Sequence, residues 1–76
     1  MSLGTDRVRL SFNPSSDIDV DSVKRLAAQA IDLCQEMQPR PDDQSYNARE
    51  LRRIIALAQT HFEEGAMWAV KAATAP

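Results

Sequence analysis

The sequence predicts an all-α fold, an antiparallel helical hairpin with an extended N-terminal arm, assembled into a homo-oligomer. Two segments, at about 17–38 and 46–74, carry apolar or small residues at alternating intervals of three and four, the spacing of a coiled-coil-like helix face. Proline-containing stretches precede each segment and end helices. From 65 to 73 the chain is apolar or small almost all the way round. A chain this short has too little other protein to bury every side of that helix, so further copies are the simplest partner.

Length and composition narrow the class of protein. At 76 residues the chain is predicted to form one domain, 1–76, and a domain of this size is marginally stable alone. The single cysteine, Cys34, excludes an intramolecular disulfide, and the single histidine, His61, argues against a zinc site. We therefore expect stabilisation by oligomerisation, with no metal and no cofactor. A net charge of −2 argues against a nucleic-acid polymer as partner.

The N-terminal residues are polar, and no long apolar run follows them. This pattern predicts neither a signal peptide nor a membrane span. We therefore expect a cytoplasmic location.

An extended arm is predicted over residues 7–14. Residues 7–12 alternate polar and apolar side chains, as strands do, and Val8, Leu10 and Phe12 are expected to face a helix. Pro14 ends the arm because it forces the preceding residue out of the α region. Residues 1–6 show no pattern and are expected to fray.

The first helix is predicted at about 17–38. Aspartates crowd its start, where carboxylates suit the helix dipole. Its predicted seam consists of Val20, Val23, Ala27, Ala30, Cys34 and Met37. A separate stripe beside the seam consists of Leu26, Ile31 and Leu33. A proline-containing connector then ends the helix.

The second helix is predicted at about 46–74, with Ser45 or Asn47 as its cap. Its length would be about 40 Å. Its predicted seam consists of Leu51, Ile55, Ala58, Phe62, Gly65, Ala69 and Ala72. A second stripe beside the seam consists of Ile54, Leu57, His61 and Trp68. One seam is expected to close the hairpin, which leaves the second stripe for another partner.

Nothing in the sequence resembles a catalytic site. His61 has no neighbouring nucleophile in sequence, so a structural or ligand-contacting role is the better interpretation. Glu63 and Glu64 point about 100° apart on a helix and are better read as a solvated face. The aspartates near residue 19 lack the glycine and glutamate of a calcium loop. We therefore expect no enzymatic activity.

Four cations surround the arm and the start of the first helix: Arg7, Arg9, Lys24 and Arg25. An aromatic ring beside phosphate-binding cations is a combination that holds nucleotides, and Phe12 lies among them. On composition alone, an ordinary core phenylalanine with solvated arginines is the better interpretation.

Lys71 is the sole charge in the apolar end of the second helix. Either its ammonium extends to solvent, or several copies converge on an anion at a symmetry axis.

Three segments together resemble the helical-hairpin family of phage anti-defence sponges. They are Phe12-Asn13-Pro14-Ser15, Val23-Lys24, and the run from Ala58 to Ala72. These proteins counter CBASS immunity by sequestering its cyclic-nucleotide signal, and a related branch sequesters the cyclic ADP-ribose signals of Thoeris immunity. The resemblance covers most of the chain except residues 1–6 and 38–47.

The resemblance implies a homo-hexamer without catalytic activity, acting in the cytoplasm of the infected bacterial host. It implies cyclic dinucleotides between paired subunits, stacked on Phe12 and bound through their phosphates by Lys24. It also implies cyclic trinucleotides where three subunits meet, near Lys71. Arg9, Asn13 and Thr60 are added as ligand contacts because they lie near these residues.

The chain departs from the family in two ways. Many relatives carry tyrosine where Phe12 stands, which keeps the stacking ring and loses a hydroxyl. The chain also lacks the β-rich segment of the Thoeris branch, which favours CBASS signals. The alternatives are a sponge for cyclic ADP-ribose signals, a small nucleotide-cleaving enzyme, and a structural helical hairpin that binds other proteins.

Overall fold

The structure, a computed structural model, describes residues 2–11 and 17–76. In these ranges the chain forms three helices, α1 (Leu3–Arg7), α2 (Ile18–Glu36) and α3 (Tyr46–Ala73), and no strand. α2 packs along α3, and α1 packs on α2. The all-α class and the helical hairpin are confirmed.

The two long helices begin at side-chain caps. Asp17 Oδ1 accepts hydrogen bonds from the N–H groups of Asp19 at 2.8 Å and Val20 at 3.2 Å. Ser45 Oγ accepts from the N–H of Ala48 at 3.2 Å. Each cap satisfies N–H groups that have no partner within the helix. α2 begins one residue after its predicted start and ends two residues before its predicted end, whereas α3 ends one residue early.

The N-terminal segment differs from the prediction. Residues 1–6 were expected to fray, but α1 occupies 3–7, and a capping box fixes its start. The N–H of Thr5 donates to Ser2 Oγ at 3.1 Å, and the N–H of Ser2 donates to Thr5 Oγ1 at 3.0 Å. Two N–H groups at the helix start are satisfied reciprocally in this way.

The prediction of an extended arm is wrong for residues 7–11, which form the end of α1 and a turn. The polar and apolar alternation has another cause there. The turn places Val8 in the core and packs Leu10 against it, while Arg9 is exposed. Phe12 and Asn13, the predicted end of the arm, lie outside the described residues.

The core lies where the three helices meet. Val8, Ala28, Ile31 and Ala66 form one buried cluster, with Ile31 fully enclosed. Ala28 of α2 shares the cluster with Ala66 of α3. Further along α2, the Ile31 carbonyl oxygen accepts a hydrogen bond at 3.2 Å from Gln59 Nε2, which comes earlier in α3. The two helices are therefore antiparallel.

The predicted seams are only partly buried. Met37 is 60% exposed and Phe62 is 43% exposed, whereas Lys24 and Gln59 lie in the buried faces of α2 and α3. Both helices carry apolar side chains around more of their circumference than one hairpin interface can cover. The structure therefore leaves large apolar side chains at the surface: Ile18, Leu26, Leu33, Met37, Tyr46, Ile54, Leu57, Phe62, Met67 and Trp68.

None of the helices in the described part of the chain is long and apolar enough to cross a membrane.

Candidate functional site

The predicted site residues fall on two parts of the structure. Arg9 lies in the turn that follows α1, where Lys24 of α2 contacts it. Thr60 and Lys71 lie on one face of α3. Phe12 and Asn13 are outside the described residues.

α1 ends in a Schellman motif. The N–H of Leu10 donates to the Thr5 carbonyl oxygen at 3.0 Å, and the N–H of Arg9 donates to the Asp6 carbonyl oxygen at 3.2 Å. These are the two hydrogen bonds that define the motif. Arg9 occupies its left-handed position with φ 54°. Glycine is usual there, because a Cβ atom makes this conformation unfavourable by roughly 1–2 kcal/mol.

Lys24 contacts the same turn. It lies on α2 and is only 7% exposed. Its Nζ donates to the Arg9 carbonyl oxygen at 3.0 Å. A buried ammonium is stable only when hydrogen-bonded, and this contact connects α2 to the turn after α1.

A second feature is an open groove along α3, with a volume of about 610 Å³. It is lined by Thr60, Glu63, Glu64, Met67, Trp68 and Lys71. The spacings of three and four place these side chains on one helix face. Because all of them belong to α3, a ligand enclosed at this groove would require walls from another molecule.

Within the groove, Lys71 contacts an aromatic ring. Its Nζ lies 5.2 Å from the centroid of the Trp68 ring, a distance at which the ring attracts a cation. The sequence leaves two environments open for the Lys71 ammonium, namely solvent or an anion shared between several copies. In a single chain the neighbour of its ammonium is Trp68, a contact that the three-residue spacing makes possible.

Arg7 joins the groove to α1. Its Nε donates to Glu63 Oε2 at 2.9 Å, and its guanidinium approaches Thr60 Oγ1 at 3.5 Å. The two side chains of the ion pair are 26% and 34% exposed, so solvent screens their attraction only in part. The sequence placed Arg7 among the cations near the arm. Its pairing with α3 is a tertiary contact that no local pattern predicts.

The charge of the groove in one chain is not positive. Lys71 is its only cation among the lining residues, whereas Glu63 and Glu64 contribute two carboxylates. Arg7 neutralises one of them from the edge. The groove of one chain therefore offers a polyanion no net positive charge.

A family model described as Acb2/Tad1, hairpin domain, matches residues 4–74 of the chain. The match begins within α1 and ends just beyond α3. No curated protein and no solved structure matches the chain.

Proposed function

The chain belongs to the Acb2/Tad1 hairpin family, and on this premise we propose that it is a phage anti-CBASS protein that sequesters cyclic oligonucleotide signals without degrading them. The resemblance found in the sequence is thereby confirmed at the level of the family. This family implies an anti-defence sponge for cyclic nucleotides. The match over residues 4–74 is the observation that carries the proposal, because it covers all of α2 and α3 and all but the first residue of α1.

The proposed dinucleotide site combines Phe12, Asn13, Arg9 and Lys24. Phe12 stacks on a base, and Lys24 donates to a phosphate oxygen. An ammonium has three N–H donors, so the contact of Lys24 with the Arg9 carbonyl oxygen is compatible with a phosphate contact. A charge-assisted hydrogen bond of this kind is stronger when it is partly shielded from water, as the burial of Lys24 provides.

The proposed trinucleotide site is the α3 groove with Thr60 and Lys71, completed where three subunits meet. Its support is the shape of the groove, whose lining residues all lie on one helix. The groove of one chain is therefore incomplete as a container. Three copies would supply three ammonium groups for the three phosphates of a cyclic trinucleotide.

A homo-hexamer is part of the same proposal. Its support is the amount of large apolar surface on one chain, including Ile18 at 78%, Leu26 at 68%, and Met67 at 68% exposed. Large apolar side chains exposed on both α2 and α3 are available for burial against other copies. Burial against other copies would also stabilise a domain that is marginal by size.

The proposed place of action is the cytoplasm of the infected host. Two further candidates remain. A sponge for cyclic ADP-ribose signals is favoured by the same family match, and a non-enzymatic hairpin that binds other proteins is favoured by the exposed apolar side chains.

The proposal is tested by ligand retention and release. The protein is incubated separately with cyclic dinucleotides, cyclic trinucleotides and cyclic ADP-ribose, passed through a desalting column, and denatured. Chromatography then identifies the released compound, with Phe12→Ala as the matched control for the dinucleotides. Intact cyclic dinucleotide or trinucleotide supports the proposal. Cleaved product indicates an enzyme, retention of cyclic ADP-ribose alone indicates the other sponge, and no retention indicates a protein-binding hairpin.

A further inference from the structure

The turn after α1 contains two features that are unfavourable by themselves, and one hydrogen bond connects them. Arg9 adopts a left-handed backbone although it is not glycine, and Lys24 has its ammonium largely out of solvent. A left-handed backbone is costly for a residue with a Cβ atom, and a buried ammonium is costly unless it is hydrogen-bonded. The hydrogen bond from Lys24 Nζ to the Arg9 carbonyl oxygen joins them.

We propose that Lys24 is a positioning residue for the turn 8–11, and that it couples closure of this turn to ligand binding. The coupling rests on the proposed function, in which the same ammonium contacts phosphate. The positioning role does not, because it follows from the contact with Arg9.

The packing around Arg9 supports the positioning role. Val8 is buried in the core on one side of Arg9, and Leu10 packs against the core on the other. Between these two anchors the backbone must turn sharply, which brings the Arg9 carbonyl oxygen to α2. A side chain that donates to this oxygen selects the left-handed turn over extended alternatives.

Coupling between the turn and the ligand follows because the Lys24 ammonium has three N–H donors. The carbonyl oxygen takes one N–H, and a phosphate oxygen would take another. A phosphate that holds Nζ in this position would also favour the closed turn. Because coupling between two sites is reciprocal, the closed turn would raise the affinity for the phosphate by the same factor.

Hydrogen exchange of the Arg9 and Leu10 amides measures closure of the turn, because these amides donate to the Asp6 and Thr5 carbonyl oxygens. Lys24→Met keeps the length of the side chain and removes its donors. We expect it to lower the protection of both amides roughly 5- to 30-fold. An amide in the middle of α3, such as that of Ile55, serves as the internal control.

The decisive variant is the double substitution Lys24→Met with Arg9→Gly. Glycine adopts the left-handed conformation without the Cβ penalty, so protection of the residue 9 and Leu10 amides should return towards the native value. The affinity for a cyclic dinucleotide should remain low, because the ammonium is still missing. This separation distinguishes a positioning role from general support of the fold.

Unchanged protection in Lys24→Met overturns the positioning role, as does a double variant whose turn stays unprotected. If Lys24→Met does not fold, a folded double variant supports the role and an unfolded one overturns it. The coupling is tested by adding cyclic dinucleotide to the native protein, which should raise the protection of both amides. Binding without increased protection overturns the coupling. Absence of binding, with the glycine rescue intact, overturns the ligand assignment and leaves the positioning role in place.

Discussion

Gly4 packs against the backbone of Ala28. A Cβ atom on Gly4 would lie 2.1 Å from the carbonyl oxygen of Ala28. The N–H of Gly4 also donates to Asp32 Oδ1 at 2.7 Å. α1 therefore approaches α2 more closely than any residue with a side chain allows at this position.

Gly4→Ala should displace α1 from α2. The clash is with backbone, which cannot move aside as a flexible side chain can, so we expect a loss of about 1–3 kcal/mol in the free energy of unfolding. Urea denaturation at matched protein concentration measures this loss. Asp6→Ala, on an exposed position of the same helix, is the control and should change stability by less than about 0.5 kcal/mol. Equal losses in the two variants would contradict the close packing.

Gly65→Ala should have the opposite effect within one chain. A Cβ atom on Gly65 would meet nothing within 4 Å, and alanine favours the helix over glycine by about 1 kcal/mol. If Gly65 allows another copy to approach α3, the variant should gain helix stability and lose assembly. Thermal unfolding followed by circular dichroism, together with sedimentation velocity, separates the two effects. An unchanged sedimentation coefficient would place Gly65 outside the subunit contacts.

The native protein should sediment well above the monomer mass of 8.5 kDa. Trp68 is 62% exposed in one chain, and Trp68→Asp would place an unpaired charge in the proposed subunit interface, at a cost of several kcal/mol. We expect this variant to dissociate. Gln44→Asp, on the exposed connector, introduces the same charge and should leave assembly unchanged. A native protein that remains a folded monomer would reject the hexamer.

The two proposed ligand sites predict opposite phenotypes. Phe12→Ala should weaken cyclic dinucleotide binding by about 1–3 kcal/mol per stacked base and spare the trinucleotide. Lys71→Ala should do the reverse, because it removes one ammonium from each subunit at the trinucleotide site. Calorimetric titration of both variants with both ligand classes forms the test.

Joint loss of both ligands in each variant would indicate one shared site. No effect of Lys71→Ala would mean that its ammonium serves only the contact with Trp68.

The start of α3 should respond to acid. The N–H of Ser45 donates to Asp43 Oδ1 at 2.9 Å, and this hydrogen bond lowers the pKa of Asp43 below its usual value of 3.8. A lowered pKa means that the ionised form stabilises the fold. The contribution is complete above pH 3.8 and is lost as the pH falls through the lower folded-state pKa.

NMR titration of the Asp43 carboxyl group and of the Ser45 amide measures this transition. Asp43→Asn keeps an acceptor oxygen at the same position and removes the titration, so its Ser45 amide should show no transition of its own in this range. A native carboxyl that titrates at 3.8 or above would contradict the assignment.

Local chemistry in the sequence determined the two long helices. Asp17 and Ser45 are cap residues whose side chains satisfy the first N–H groups, and prolines separate the helical segments. These are short-range effects, so the start of each helix was predicted to within one residue. The family was also recognisable, because its pattern of residues is carried by the sequence itself.

Tertiary packing decided which faces are buried. Lys24 and Gln59 are polar, yet both lie inside the fold because each finds a hydrogen-bond partner there. Leu26 and Leu33 are apolar, yet both remain exposed, because one hairpin covers only part of each helix. Periodicity identifies apolar stripes but does not rank them when a helix has several.

Tertiary packing also formed the N-terminal part of the fold. The same alternation fits a strand and a turn with two core anchors. The approach of Gly4 to Ala28 and the contact of Lys24 with the Arg9 carbonyl oxygen favour the turn. The ion pair of Arg7 with Glu63 joins residues 56 positions apart, and such contacts form only after the hairpin is closed. The sequence by itself determined the helices and the family. The buried face, the left-handed turn and the pairing of Arg7 with Glu63 at the edge of the α3 groove depend on long-range contacts that the closed hairpin creates.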